Sequence, residues 1–387
     1  MNKSSPETIA VRAALETDTQ HGAVVPPIHL TSTYAFKGFG EKGSYDYTRS
    51  GNPTRDALGA AIAELEGGAG GVVTSSGMAA VTLVTQLLSA DELLMAPHNC
   101  YGGTYRLFTH LAKRGSCRVL FVDQNDEKSL AEAFAQKPKL VWVETPSNPL
   151  LRLVDIRAMA ERAHASGALL LVDNTFLSPG WQRPLSLGAD LVLHSTTKYL
   201  NGHSDVVGGA VVAATRELHE KLVWWANCIG VTGAPFDSYL TLRGIRTLHA
   251  RLAVHGANAT QLARELEQHA VVERVFFPGL PSHPQYELAK TQQTGFGAMV
   301  SFELKGGLPQ VRAFVEGLRC FSLAESLGGV ESLIAHPATM THAAMDSDAR
   351  RRAGITDGLL RLSVGIEAVE DLLVDIRAAL ERAALIA

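Results

Sequence analysis

The chain has 387 residues, of which 46% are hydrophobic and 19% charged, and a formal net charge of -4. That length and apolar content allow two or three domains with large cores, and so small a charge gives no electrostatic ground for binding nucleic acid or a membrane surface. Cys100, Cys117, Cys228 and Cys320 form no CxxC pair, and none of the 14 histidines falls in an HExxH pattern. Disulfides and a protein metal site are therefore not expected, and the reducing cytoplasm is the predicted compartment. The opening MNKSSPETIAVRAALE lacks the continuous apolar core of a signal peptide, and no run is long enough to span a bilayer.

Residues 1–54 show little periodicity and read as an irregular arm of the kind that wraps a partner subunit. A helix is predicted from about Arg55, with Leu58, Ile62 and Leu65 at helical spacing and Gly67-Gly68 as its stop. Seven short apolar runs follow, at 71–74, 92–96, 119–122, 140–143, 168–172, 190–193 and 210–212, separated mostly by helix-length segments. This alternation predicts an α/β fold, with a mostly parallel seven-stranded sheet covered by helices on both faces, over residues 55–245. Beyond 245 the alternation stops. A long helix, strands in VERVFFPGL and GAMVSFEL, and a closing helix with Val369, Leu372, Leu373, Ile376 and Leu380 on one face predict a smaller α+β domain over 246–387.

Ligands of such sheets bind beyond the carboxyl ends of the strands, so the residues that follow each apolar run carry the functional signal. They are TSSGMAA with Gly77, PHNCYGG with Tyr101, TPSNP with Asn148, DNTF with Asp173, and STTK with Ser195, Thr197 and Lys198. Taken singly, Lys198 reads as a surface lysine and Asp173 as a helix cap. Together, one lysine, one carboxylate, one aromatic ring and one glycine turn at a helix start match the needs of pyridoxal phosphate. The amine condenses with its aldehyde, the carboxylate keeps its ring nitrogen protonated, the aromatic stacks on the ring, and free amides hold the phosphate. Neither GxGxxG after the first strand nor GxxxxGK[ST] occurs where a nicotinamide or ATP site would need it.

The segments YTRSGNPTR, SSGMAA, YGGTYR, ETPSNPL, VDNTF, DLVLHSTTKYLNGHS, AESLGGVESL and RLSVGIE span nearly the whole chain. They resemble the fold-type I pyridoxal-phosphate enzymes that interconvert cysteine, homocysteine and methionine. The resemblance implies amino-acid substrates and a homotetramer built as a dimer of dimers, in which the arm brings Tyr47 and Arg49 to the neighbour's phosphate. It implies cofactor contacts from Gly77, Met78, Tyr101, Asp173, Ser195, Thr197 and Lys198, with Tyr101 as a second proton carrier. Arg361 corresponds to the clamp on the substrate α-carboxylate, Ser326 to the hydroxyl that orients Lys198, and Asn148, Arg106, Glu325 and Asp46 to substrate-binding positions. Glu325 and the segments at 7–36 and 224–244 resemble members that work at Cγ, and Gly103 replaces the reactive cysteine of methionine-cleaving members. Ser50 stands where some bacterial γ-replacing members carry arginine. The activity implied is formation of L-cystathionine from O-succinyl-L-homoserine and L-cysteine, with γ-elimination of cystathionine or homoserine-ester sulfhydrylation as alternatives.

Overall fold

The computed structural model describes residues 4–341, residue 350 and residues 353–386. Seven strands, β1 Gly70–Thr74, β2 Leu93–Pro97, β3 Arg118–Val122, β4 Leu140–Glu144, β5 Leu169–Asp173, β6 Leu191–His194 and β7 Gly209–Ala213, form one sheet in the order β1-β7-β6-β5-β4-β2-β3. Each expected apolar run is a strand, displaced by at most one residue at either end. β7 runs antiparallel to both β1 and β6, and the remaining pairs are parallel. Burial on both faces explains the continuous apolar pattern. On β4, Leu140 and Trp142 enter one core while Val141 and Val143 enter another on the opposite side.

The helix Pro53–Glu66 starts ahead of the expected Arg55 because Asn52 caps it. The Asn52 side chain accepts hydrogen bonds from the amides of Thr54 and Arg55, and Pro53 occupies the first helical position. Gly67, at φ 79°, ends it in the left-handed region. The arm is less irregular than its sequence suggests. A short helix, Pro6–Arg12, buries Ala10 in the core that also holds Leu58 and Ile62. Two turns are too few for a hydrophobic period to show.

A second sheet contains β8 Val272–Phe276, β9 Met299–Leu304, β10 Phe321–Leu323, β11 Ser332–Ala335 and β12 Leu359–Ser363, in the order β10-β11-β12-β9-β8. Only β8 and β9 were expected. β10 is three residues long, with Ser322 and Leu323 exposed, so it carries no alternation to read. The long helix is Leu248–Gln268, and the closing helix Val369–Ala384 buries Leu372, Leu373, Ile376 and Leu380. Among the described residues no helix is long and apolar enough to cross a membrane.

Candidate active site

The carboxyl ends of β4, β5 and β6 and the turn after β1 open into one cavity of about 460 Å³, which Glu325, Ser326 and Arg361 close from the side of the second sheet. Lys198 lies on the turn that follows β6 and faces this cavity, half-buried. Its Nζ donates to Ser326 Oγ at 2.6 Å. Burial, and then the nearby Arg361 charge, lower the Lys198 pKa to about 8, against a weaker upward pull from Glu325. An amine of this kind is available for chemistry near neutral pH, where a solvated lysine is not.

Ser326 has φ 90°, a conformation L-residues rarely adopt and which costs roughly 1–3 kcal/mol. The turn has a use for it. While its hydroxyl accepts from Lys198, its carbonyl accepts from Arg361 Nη2 at 3.0 Å. Arg361, buried on β12, also donates from Nη1 to Asn148 Oδ1 at 2.8 Å. Its Nε is buried without a hydrogen-bond partner, and among the described residues no carboxylate lies within ion-pair distance of it. Burial lowers its pKa to about 10, which leaves it cationic at neutral pH. A buried guanidinium with an unused donor is a ready receptor for a ligand carboxylate.

Asp173 and Glu144 end adjacent strands and are register partners. Asp173 Oδ1 accepts from the Thr175 amide at 3.0 Å, so it caps a turn rather than a helix. Burial raises its pKa, while the Thr175 bonds and the His194 charge act in the opposite direction. Glu144 Oε2 accepts from the Tyr101 amide at 2.9 Å, and burial together with the Asp173 charge pushes the Glu144 pKa up to about 8. Tyr101 precedes the helix Gly102–Lys113, lines the cavity and is half exposed. A Cβ on Gly103 would lie 2.6 Å from its ring, so glycine there is what lets the ring take this place.

On the far wall the helix Gly77–Thr85 begins under the Ser76 side chain, which accepts from the Ala79 amide at 3.0 Å. The first-turn amides of Gly77 and Met78 have no intrahelical acceptor. Gly77 packs so closely on Ser195 that a Cβ would come within 2.9 Å of the Ser195 Cβ. Thr197 Oγ1 donates to the Gly208 carbonyl at 3.2 Å and lines the same wall. Hydroxyls and amides at a helix start form an anion cradle. The residues present therefore fit pyridoxal phosphate. Lys198 would meet the aldehyde, Asp173 the ring nitrogen, Tyr101 the ring face, and Gly77, Met78, Ser195 and Thr197 the phosphate.

Four expected site residues lie outside this cavity. Arg49 Nη1 donates to the Asn227 carbonyl at 2.8 Å and to its Oδ1 at 2.7 Å. Asp46 accepts from Ser50 Oγ at 2.8 Å and pairs with Lys42 at 3.0 Å. Tyr47 is half exposed, and Arg106 is exposed on the helix Gly102–Lys113. Conversely, Glu144, Thr175 and Phe176 line the cavity without having been singled out, and Ser76 of the expected helix-start turn lines it too. Glu144 did leave a signal, since a carboxylate closing the apolar run LVWV is out of place in a doubly buried strand.

A mostly parallel sheet whose strand ends hold a desolvated lysine, a pair of adjacent carboxylates and a phosphate cradle defines the class of pyridoxal-phosphate enzymes. Residues 7–381 match the family described as Cys/Met metabolism PLP-dependent enzyme. The chain belongs to that family, and pyridoxal phosphate is its cofactor. It is 59% identical over 370 residues to cystathionine gamma-synthase of Escherichia coli (strain K12), covering 95% of this chain and 96% of that protein. Cystathionine gamma-lyase of Dictyostelium discoideum is 48% identical over 376 residues, covering 97% of each chain. The crystal structure of cystathionine gamma synthase from Xanthomonas oryzae pv. oryzae in complex with cystathionine superposes with a TM-score of 0.98 at 63% identity, covering 99% of each chain.

Proposed function

We propose that this protein makes L-cystathionine by γ-replacement, with L-cysteine displacing succinate from O-succinyl-L-homoserine. The observation that carries the reading is the Lys198 amine, desolvated, bonded to Ser326 Oγ and set beside the receptive Arg361 guanidinium. The 59% identity to the Escherichia coli synthase selects the reaction within the family. Pyridoxal phosphate, joined to the substrate amine, supplies the electron sink that makes protons on Cα and Cβ acidic. Arg361 and Asn148 bind the α-carboxylate and fix the amino acid's orientation. Lys198, positioned by Ser326, takes the Cα proton. Asp173 would stay ionised against the ring nitrogen and Tyr101 would cover the ring, with Tyr101 carrying a second proton as the Cβ proton is lost and succinate leaves Cγ. The cysteine thiol gives up its proton as its sulfur bonds to Cγ, and protons return to Cβ and, from Lys198, to Cα to complete L-cystathionine. Glu325, at the cavity mouth, and Arg106 and Asp46 bind more distant parts of the substrates.

We further propose a cytoplasmic homotetramer, a dimer of dimers, divided into an arm at 1–54, a large cofactor domain at 55–245 and a small domain at 246–387. Supporting the assembly, Tyr47 and Arg49 lie outside their own chain's cavity, Arg49 resting on Asn227, on an arm that could bring them to a neighbour's phosphate. Leu30, Phe36 and Phe39 are exposed along the same arm, apolar surface that a second subunit would cover. The competing reading is γ-elimination of cystathionine to cysteine, 2-oxobutyrate and ammonia. It is favoured by Ser50, which binds Asp46 where some synthases have an arginine. Rates with O-succinyl-L-homoserine plus L-cysteine and with cystathionine alone decide between them. Faster 2-oxobutyrate from cystathionine than cystathionine from the ester reverses the choice. An unchanged KM for the ester in Arg106→Ala would remove Arg106 from the substrate-binding set.

A further inference from the structure

Behind the cavity floor lies a second polar cluster that the proposed reaction does not use. His194, the last residue of β6, precedes Ser195, and Asn174 follows Asp173 at the end of β5. In extended chain successive side chains alternate faces, and both point away from the cavity to meet Glu66, the last residue of the helix Pro53–Glu66. His194 Nε2 lies 2.7 Å from Glu66 Oε1, which also accepts from Asn174 Nδ2 at 2.9 Å. Gln182 Nε2 donates to Asn174 Oδ1 at 3.0 Å and to the Thr145 carbonyl at 2.9 Å, tying in the end of β4. Glu66 and His194 are each 1% exposed, and Glu66 Oε2 has no hydrogen-bond partner.

Amides alone could lace three strand ends together. A carboxylate and an imidazole at full burial cost free energy that a network of amides avoids, and their 2.7 Å contact has the geometry of a charge-assisted bond. Asp173 gives such a pair a use. It is register-paired with Leu193, one residue before His194 on the adjoining strand, and with Glu144 on its other side. A buried carboxylate with a second carboxylate as neighbour tends to take up a proton. A cation on the next strand opposes that tendency, and the His194 charge acts on Asp173 in this direction.

We propose that Glu66 and His194 form a buried ion pair whose imidazolium, on the strand beside Asp173, keeps that carboxylate ionised for the cofactor's ring nitrogen. Both are positioning residues, acting through Asp173. The inference rests on the reading that Asp173 meets the ring nitrogen, and the test separates the two. Holoenzymes of Glu66→Gln, His194→Gln, Asn174→Ala and Asp173→Ala are compared for pyridoxal-phosphate release on dilution, for the visible absorbance of the bound cofactor, and for Tm. Glu66→Gln and His194→Gln, which keep hydrogen-bonding groups and remove charge, are expected to weaken cofactor retention by about 10-fold, one pK unit of lost interaction, and to change the absorbance band. Asn174→Ala removes a network bond without removing charge and is expected to lower Tm while retention stays within about 2-fold. Parent-like retention and spectrum in a charge-removing variant would overturn the proposal, as would losses no greater than those of Asn174→Ala. Either charge-removing variant that folds decides the matter. If Asp173→Ala itself holds the cofactor normally, the assignment of Asp173 fails and the inference falls with it.

Discussion

In the cofactor-free protein, replacing Lys198 by methionine should stabilise the fold at neutral pH. The amine's pKa falls from 10.5 to about 8 on folding, mainly through burial. The unfolded chain therefore binds more protons between pH 8 and 10.5, and the stability of the parent rises with pH across that window. Below pH 8 the full penalty applies, about 3 kcal/mol at 1.36 kcal/mol per pK unit. Methionine keeps most of the apolar stem and removes the charge, and it gives up the Ser326 hydrogen bond, worth about 1 kcal/mol. The net gain is about 2 kcal/mol. With an unfolding entropy near 2.1 cal/mol/K per residue, the 387-residue chain converts that gain into a rise in Tm of about 2 to 3 °C at pH 7. Thermal unfolding followed by circular dichroism from pH 7 to pH 10 reads the difference directly. It should shrink with rising pH and vanish or reverse near pH 10. A Lys198→Met advantage independent of pH, or none at pH 7, would refute the claim that the amine is desolvated.

Three further outcomes follow from the site. Ser326→Gly relieves the backbone at φ 90° while removing the hydroxyl on Lys198; kcat should fall by about 10-fold with Tm unchanged or raised. A variant of normal kcat shows that Ser326 does not hold the amine. Arg361→Lys gives up the paired bonds to Asn148 and Ser326, and KM for the amino-acid substrate should rise by at least about 10-fold, more than kcat falls; equal effects on both would show a role other than binding. Glu144, with its pKa raised from 4.5 to about 8, lets the native cofactor-free state hold a proton that the unfolded chain has released. Stability should therefore fall as pH rises through that window, and Glu144→Gln should gain on the parent until it is the more stable above pH 8. Parallel Tm profiles for the two proteins would exclude the shift.

The seven strands of the first sheet were legible because burial on both faces writes each as an unbroken apolar run, and because ligands gather where such runs end. Lys198, Asp173, Tyr101 and Asn148 came from that rule, and the cavity brings them together. Elements whose shape depends on distant partners were not legible. β10, β11 and β12 are three to five residues long and draw their register from one another and from β9. Ser326 and Arg361 were placed by resemblance, since nothing local tells that a turn after β10 and a residue of β12 will reach across 128 and 163 positions to Lys198. The Glu66–His194 contact spans 128 positions and leaves no sequence trace beyond two ordinary polar residues.

The largest apolar core is shared between the two sheets. It runs from Ala10 in the arm helix through Leu58, Tyr199 and Leu248 to Phe302 on β9 of the second sheet and Leu380 in the closing helix. Cutting the chain near residue 246 would strip each fragment of one wall of its interior, so neither half should accumulate as a soluble product when expressed alone. Heating should likewise dismantle both sheets in a single step, and recombining the fragments should restore a fold only if they meet while each is still being made.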